Sequence, residues 1–150
     1  MRVLIQRVTK AEVFINECSY SKIQKGLLIL VGIEHEDANL DADYLVQKIT
    51  NLRIFEDDQK KMNLNIKEVN GELMVISQFT LHAKTKKGNR PSFIKAAPPE
   101  QAIPLYNYFC EQLDSQLDQG LKTGKFGADM QVQLINNGPV TLLLDSKDKQ

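Results

Sequence analysis

A chain of 150 residues, 42% hydrophobic and 25% charged, is long enough to bury one real core and too ordinary in composition to be disordered, collagenous or stapled by disulfides. Lysine plus arginine and aspartate plus glutamate each number 19, so net charge gives no argument for a nucleic-acid partner and only a local basic patch can supply one. No apolar run approaches the roughly eighteen residues of a membrane helix, and Met1 to Val8 alternates like a strand, without the apolar segment and cleavage site of a signal peptide. Cys18 and Cys110 lie far apart without metal-ligand spacing, so reduced thiols in a cytoplasmic protein are expected, with no metal site.

In chain order, residues 2–8 alternate apolar and polar, and Ala11 to Ile15 reads as a second short strand after Thr9-Lys10. Gly26 opens Leu27 to Ile33, an apolar run of the kind buried on both faces. Asp37 or Asn39 can cap a helix over Leu40 to Leu52, with Leu40, Tyr44, Leu45, Ile49 and Leu52 at helical spacing. Arg53 to Phe55 is extended, and Glu56 to Lys61 is a charged turn whose acids are solvated. The Asn70-Gly71 turn signal introduces a core strand at Leu73 to Ile76 that continues into Ser77, Gln78, Phe79 and Thr80.

A polar, basic loop follows from Lys84 to Pro91. Pro98-Pro99 introduces a second helix with Leu105, Tyr106, Phe109, Cys110 and Leu113 on one face. Pro104 conflicts with it, so either the first turn is irregular or the regular helix starts near Pro104. Gly120 to Gly127 reads as loop, Met130 to Leu134 as a half-buried strand, and Asn136 to Pro139 as an interruption before a last strand at Val140 to Leu144. The tail from Ser146 to Gln150 is polar and expected to fray. With no repeat or linker, the chain reads as one domain over residues 1–150. Its class is α+β: about seven strands in a curled or closed, barrel-like sheet covered by two helices.

Two stretches are not explained by packing alone. Ser77, Gln78 and Thr80 place two hydroxyls and a carboxamide at the end of a core strand, where burial costs a few kcal/mol unless partners, water or a ligand bond them. In Asn136-Asn137-Gly138-Pro139-Val140-Thr141 the Gly-Pro pair is either a plain turn or a rigid unit, in the trans or cis form, that presents carbonyl oxygens with no side chain in the way.

Together these stretches resemble the paired signature of the bacterial and eukaryotic D-aminoacyl-tRNA deacylases. Ile5-Gln6-Arg7-Val8, Lys61 to Asn65, Lys87 to Phe93, and Gly124 to Met130 resemble further family segments in the same order. The resemblance implies a homodimer with each active site at the interface and no cofactor. Ser77, Gln78, Phe79 and Thr80 line the site of one subunit around the ester-linked aminoacyl-adenosine, with Met130 counted among the substrate-binding residues. Gly138 and Pro139, in the cis form, enter from the other subunit as a chiral gate that excludes L side chains and leaves room for D residues and glycine.

The implied reaction is hydrolysis of an activated ester, which needs an oriented water and a stabilised oxyanion more than a strong nucleophile. The sequence holds no Ser-His-Asp arrangement, clustered-histidine metal site or Gly-rich phosphate loop. Two mechanisms stay open. Thr80 attacks with His82 as base, two residues along a shared strand face, or the ribose 2′-hydroxyl assists water while backbone N–H groups stabilise charge. The second is preferred, because His82 lies outside the motif and only RNA has that hydroxyl. Lys86, Lys87 and Arg90, with Lys84 and Lys95 nearby, form the densest basic run and are the candidate tRNA-binding residues; Lys122 and Lys125 come second. The rival readings are a non-catalytic RNA-binding module, a small-molecule esterase using Thr80, and an interaction protein without an active site.

Overall fold

The computed structural model describes residues 1–149. Its sheet is built on β1 (Arg2–Ile15), which runs through Thr9-Lys10 without a break. The two strands expected there are one. Its register against the last strand shifts between Gln6 and Val8 and again between Val8 and Lys10. Such irregularities change which side chains face inward. Val3 and Ile5 therefore pack under the helices, while Val8, Ala11 and Val13 join a second core on the opposite face.

β1 turns at Asn16-Glu17, both at positive φ, into β2 (Cys18–Ile23), which the sequence reading missed. β2 is a mostly exposed edge strand, so it carries no hydrophobic run to announce it. β3 (Gly26–Gly32) is buried on both faces as expected. After α1 (Asn39–Asn51) come a small pair, β4 (Phe55–Glu56) and β5 (Met62–Leu64), and then the core strand β6 (Glu72–Ser77). α2 (Pro99–Asp114) leads to β7 (Leu121–Thr123), inside the stretch read as loop, and to β8 (Gln131–Asp145). β8 carries the Gly-Pro pair within one long strand, and the expected interruption appears in its pairing, where Asn137 to Val140 have no partner in β1.

β1 pairs antiparallel with β2, β3 and β8, and β3, β6 and β7 run parallel side by side. The order β2-β1-β3-β6-β7 curls until its ends approach, and the Ser21 hydroxyl donates to the Thr123 carbonyl across the gap at 2.8 Å. The result is a nearly closed barrel-like sheet covered by two helices.

Both helices pack on one face through Leu45, Val46 and Ile49 of α1 and Leu105, Tyr106, Phe109 and Leu113 of α2. Leu40, expected on the buried face, is 81% exposed in the first turn of α1. Neither expected residue caps this helix. Its N-cap is Ala38, whose N–H donates to the Asp41 carboxylate, while Asp37 is turned inward onto the Met1 ammonium. Pro104 sits within α2, which starts at Pro99. The acceptor its ring leaves idle is the Glu100 carbonyl on the exposed side, where water can satisfy it. Ser146, expected in a frayed tail, is instead buried and accepts from the Met1 ammonium at 2.9 Å; Gln150 lies outside the described residues. Neither helix is long and apolar enough to cross a membrane.

Candidate active site

The three parallel strands end together, and in open sheets ligands sit beyond such carboxyl ends. Here a cavity of about 310 Å³ opens past Val31 of β3 and Ser77 of β6. α2 gives it a wall through Ala102 and Tyr106, and the segment from Phe126 to Met130 closes the other side.

Of the residues singled out beforehand, Ser77, Gln78, Phe79 and Met130 line this cavity. Thr80 is the next residue along but is exposed and lies outside the lining. The strand does not continue to it. Phe79–His82 forms a 3-10 turn, begun where the Gln78 N–H donates to the Val31 carbonyl at 2.7 Å and closed as Leu81 N–H donates to Gln78. Leu81 N–H thus reaches back to the residue before the turn, and Ala83 N–H donates to the Thr80 carbonyl inside it. As the first two residues of the turn, Phe79 and Thr80 have N–H groups with no acceptor inside it.

This turn removes the basis for a Thr80–His82 pair. At three residues per turn, i and i+2 point to different sides. The Thr80 hydroxyl instead accepts from the Gln78 carboxamide at 2.6 Å. His82 is buried under the turn, and neither ring nitrogen has a hydrogen-bond partner. The charged group near it is Glu34, 3.9 Å away, which Lys95 approaches equally closely.

Among the wall residues that the sequence does not single out for the site are Tyr106 and Phe126. Tyr106 appeared only as a buried helix position. Its hydroxyl donates to the Val75 carbonyl at 3.1 Å, and its ring meets Phe126 edge-on at 5.6 Å. Burial first, then the neighbouring Cys110, pushes its phenol far above the ordinary range. Burial likewise pushes the Cys110 thiol up to about 12, so it stays an inert neutral thiol. Gly124 also donates to the Val75 carbonyl, at 3.0 Å. A Cβ there would lie 2.6 Å from the Met130 sulfur, so the absence of a side chain lets Met130 settle against the wall.

Gly138 and Pro139 do not join the cavity of their own chain. They form an exposed tip on β8, with a cis peptide between them and Gly138 at φ +140. The tip is held from below. Arg7, 3% exposed, donates from Nε to the Asn137 carbonyl at 2.9 Å and from Nη1 to the Ile54 carbonyl at 2.6 Å. Asn136 brackets it, accepting from the Val140 N–H at 2.7 Å and donating to the Val140 carbonyl at 3.1 Å. Arg7 was legible only as part of a family-like segment, because an arginine in an alternating strand gives no sign of being buried.

Lys86, Lys87 and Arg90 are exposed on the loop after the turn, and its base is tied by paired Lys84–Ser92 backbone bonds of 2.8 and 2.9 Å.

A small, nearly closed barrel with a cavity at its parallel strand ends and an exposed backbone tip is an architecture shared with solved structures. One titled "c-Myc DNA Unwinding Element Binding Protein" is 42% identical, with a TM-score of 0.92 over 97% of this chain and 98% of its own. Another, titled as a probable eukaryotic D-amino acid tRNA deacylase, shares the fold with a TM-score of 0.81 at 16% identity, over 95% of this chain and 97% of its own. The chain belongs to the D-Tyr-tRNA(Tyr) deacylase family, whose sequence profile it matches over residues 4–145. Proteins named D-aminoacyl-tRNA deacylase from Flavobacterium psychrophilum and Cytophaga hutchinsonii are 59% and 60% identical to it over the full length of both chains.

Proposed function

We propose that this protein hydrolyses the ester between a D-amino acid and the terminal ribose of tRNA, accepts glycyl esters, and spares L-aminoacyl-tRNA. The observation that carries this reading is the division of the site into a half-apolar cavity behind Ser77, Gln78 and Phe79 and a side-chain-free Gly138-Pro139 tip on the outside of the same chain. The tip completes a site only when a second copy brings it to the partner's cavity. Exposed Ile135 and Leu143 on the same strand favour such pairing.

In the reaction, water adds to the ester carbonyl, the carbonyl oxygen takes up negative charge, and the bond to the ribose 3′-oxygen breaks as that oxygen gains a proton. The N–H groups of Phe79 and Thr80 suit the oxyanion. The ribose 2′-hydroxyl orients the water. Thr80 has no base beside it, since His82 is turned under the fold, and this favours RNA assistance over a Thr80 nucleophile. Lys86, Lys87 and Arg90 take phosphates of the acceptor end.

The direct test is incubation with matched D-, L- and glycyl-tRNAs. D-aminoacyl- and glycyl-tRNA should be hydrolysed and the L form spared. Resistance of glycyl-tRNA equal to that of the L form would defeat steric exclusion, which penalises only an L substituent. Thr80→Ala should keep substantial hydrolysis, and a terminal 2′-deoxy substrate should lose more than that variant does.

A further inference from the structure

The basic loop is mechanically an extension of the 3-10 turn. One of its limbs leaves the turn directly through Ala83 and Lys84. The other returns through the Lys84–Ser92 bridge to Phe93, whose ring meets Phe79 edge-on with centroids 5.0 Å apart and planes at 77°. Beyond Phe93 the chain is pinned to the end of β3. His35 N–H donates to the Lys95 carbonyl at 3.3 Å and Ala97 N–H to the Ile33 carbonyl at 3.0 Å. The loop therefore has a fixed anchor behind it and the turn in front of it. Any shift of the loop on its anchor is felt by the turn along the chain and through Phe93.

Phe79 is unusual as the receiver of this contact. It is 56% exposed, a large apolar side chain left mostly in water, and Phe93 is its ring partner among the described residues. Its own N–H and that of Thr80 open the turn, where no carbonyl of the turn can serve them. An edge-to-face aromatic pair is worth enough to select one ring position over its neighbours, and too little to hold it rigidly. At the loop tip, Lys86, Lys87 and Arg90 carry exposed charge suited to a polyanion.

We propose that Phe93 is a positioning residue that couples phosphate engagement by the 84–92 loop to the Phe79–His82 turn, so that the Phe79 and Thr80 N–H donors are aligned when the RNA body is held. This rests on the deacylase reading above. It predicts that small amino-acid esters, which lack the RNA that the loop engages, react more slowly in the same pocket. The signature is in kcat, because Phe93 acts on donors used in the transition state.

The test is a four-cornered cycle on the full-length protein: unaltered, Phe93→Ala, the loop variant Lys86→Ala/Lys87→Ala/Arg90→Ala, and their combination, each with rates measured over D-aminoacyl-tRNA concentrations from well below KM to saturation. With the loop intact, Phe93→Ala should lower kcat by roughly 3–10-fold, as an aromatic pair's worth implies, and leave KM within about twofold. In the loop-variant background the same change should cost less than about twofold. Equal losses in both backgrounds would reduce Phe93 to ordinary packing and overturn the proposal. So would a raised KM at unchanged kcat, which marks a substrate contact. Should Phe93→Ala fail to fold, Phe93→Leu keeps the bulk without the ring edge and is judged by the same non-additivity. Two other failures are separable. An unaltered protein that leaves D-aminoacyl-tRNA intact takes down the deacylase reading and this one with it. A loop variant with unchanged tRNA affinity and salt dependence removes the phosphate contact alone, and with it the coupling.

Discussion

The Ser77–Thr80 corner and the Gly138-Pro139 tip are built in opposite ways. The corner is continuous with the core: β6 is buried up to Ile76, and its side chains turn polar where the strand meets the cavity. Its rigidity comes from the sheet it ends, with the Gln78 N–H bonded to Val31 of the adjacent strand and the Gln78 carboxamide to Thr80. The tip is exposed, offers backbone only, and has its stiffness supplied from elsewhere, by a buried guanidinium from β1 and the flanking Asn136 carboxamide. A polar corner at the end of a core strand is held by the sheet that it ends. An exposed tip needs a clamp from elsewhere, because a glycine holds no position by itself.

The largest effect is expected from breaking the tip directly. Gly138 sits at φ +140, and an added Cβ would lie 2.8 Å from a Val140 methyl and 3.0 Å from the Arg7 guanidinium. A side chain held there costs about 1–3 kcal/mol in backbone strain alone. Gly138→Ala should cut D-aminoacyl-tRNA hydrolysis or its selectivity over the L form by roughly 10–100-fold, by the rule that about 1.4 kcal/mol is tenfold. Retained rate and selectivity in the folded variant would show that the tip takes no part.

Next comes the clamp. Arg7→Lys keeps a charge but cannot reach the Asn137 and Ile54 carbonyls together in the forked geometry of a guanidinium. Losing one such bond and leaving a carbonyl unsatisfied costs about 1–3 kcal/mol. Urea denaturation should show that loss of stability, and selectivity should fall with it while the Ser77 corner is untouched. Selectivity unchanged in a destabilised protein would separate the clamp from the gate.

On the cavity side the expected change is milder and of another kind. Gly124→Ala would press on the Met130 sulfur, the far end of a flexible side chain, so the fold should tolerate it while Met130 moves into the cavity. KM should rise several-fold, on the order of the 1–3 kcal/mol of a methylene-sized misfit, with selectivity against L residues preserved. A selectivity loss here would mean that the cavity and the tip share the gate's work.

The smallest effect concerns the tie between the ends of the chain and the corner. Arg2 donates to Asp145 at 2.7 Å and to the Leu81 carbonyl of the turn at 3.2 Å. Burial alone would raise the Asp145 carboxyl, but bonds from Arg2 and the Lys147 N–H outweigh it and hold it below the ordinary value. Its folded value is thus the lower one. The associated stability is present above the unfolded carboxylate range, near about 3.9, and is lost as pH falls through the folded value. Arg2→Gln should lower Tm slightly at neutral pH, and its difference from the unaltered protein should shrink in thermal melts below about pH 4. A gap that stays constant through acid would assign the effect to the Leu81 contact.

Much of the architecture was legible from residues alone, because the signals involved are local. The unbroken runs of β3 and β6, the periodicity of α1 and α2 and the single-domain composition follow from burial on two faces or one. The two functional stretches stood out because each breaks the pattern around it, and the motif pair was enough to indicate the family. Where sequence reasoning failed, a long-range contact had overridden a local signal. Thr9-Lys10 and Asn136 to Pro139 read as breaks, yet β1 and β8 pair on both sides of each, with the register shifting between Gln6 and Lys10 and Asn137 to Val140 left out of the ladder. Leu121–Thr123 read as loop because a three-residue strand has no pattern of its own until β6 pairs with it.

For the site itself, the sequence by itself determined which groups are present: the polar corner, the side-chain-free pair and the basic loop. Tertiary structure alone decided where they stand. It bent Phe79 to His82 into a 3-10 turn, which separates Thr80 from His82, and it placed Tyr106 and Phe126 as cavity walls. It also buried Arg7 beneath a tip well over a hundred residues later in the chain. Residue type and spacing record what a segment can bond to. Which partner it finds depends on chain closure between distant segments, and no local pattern encodes that.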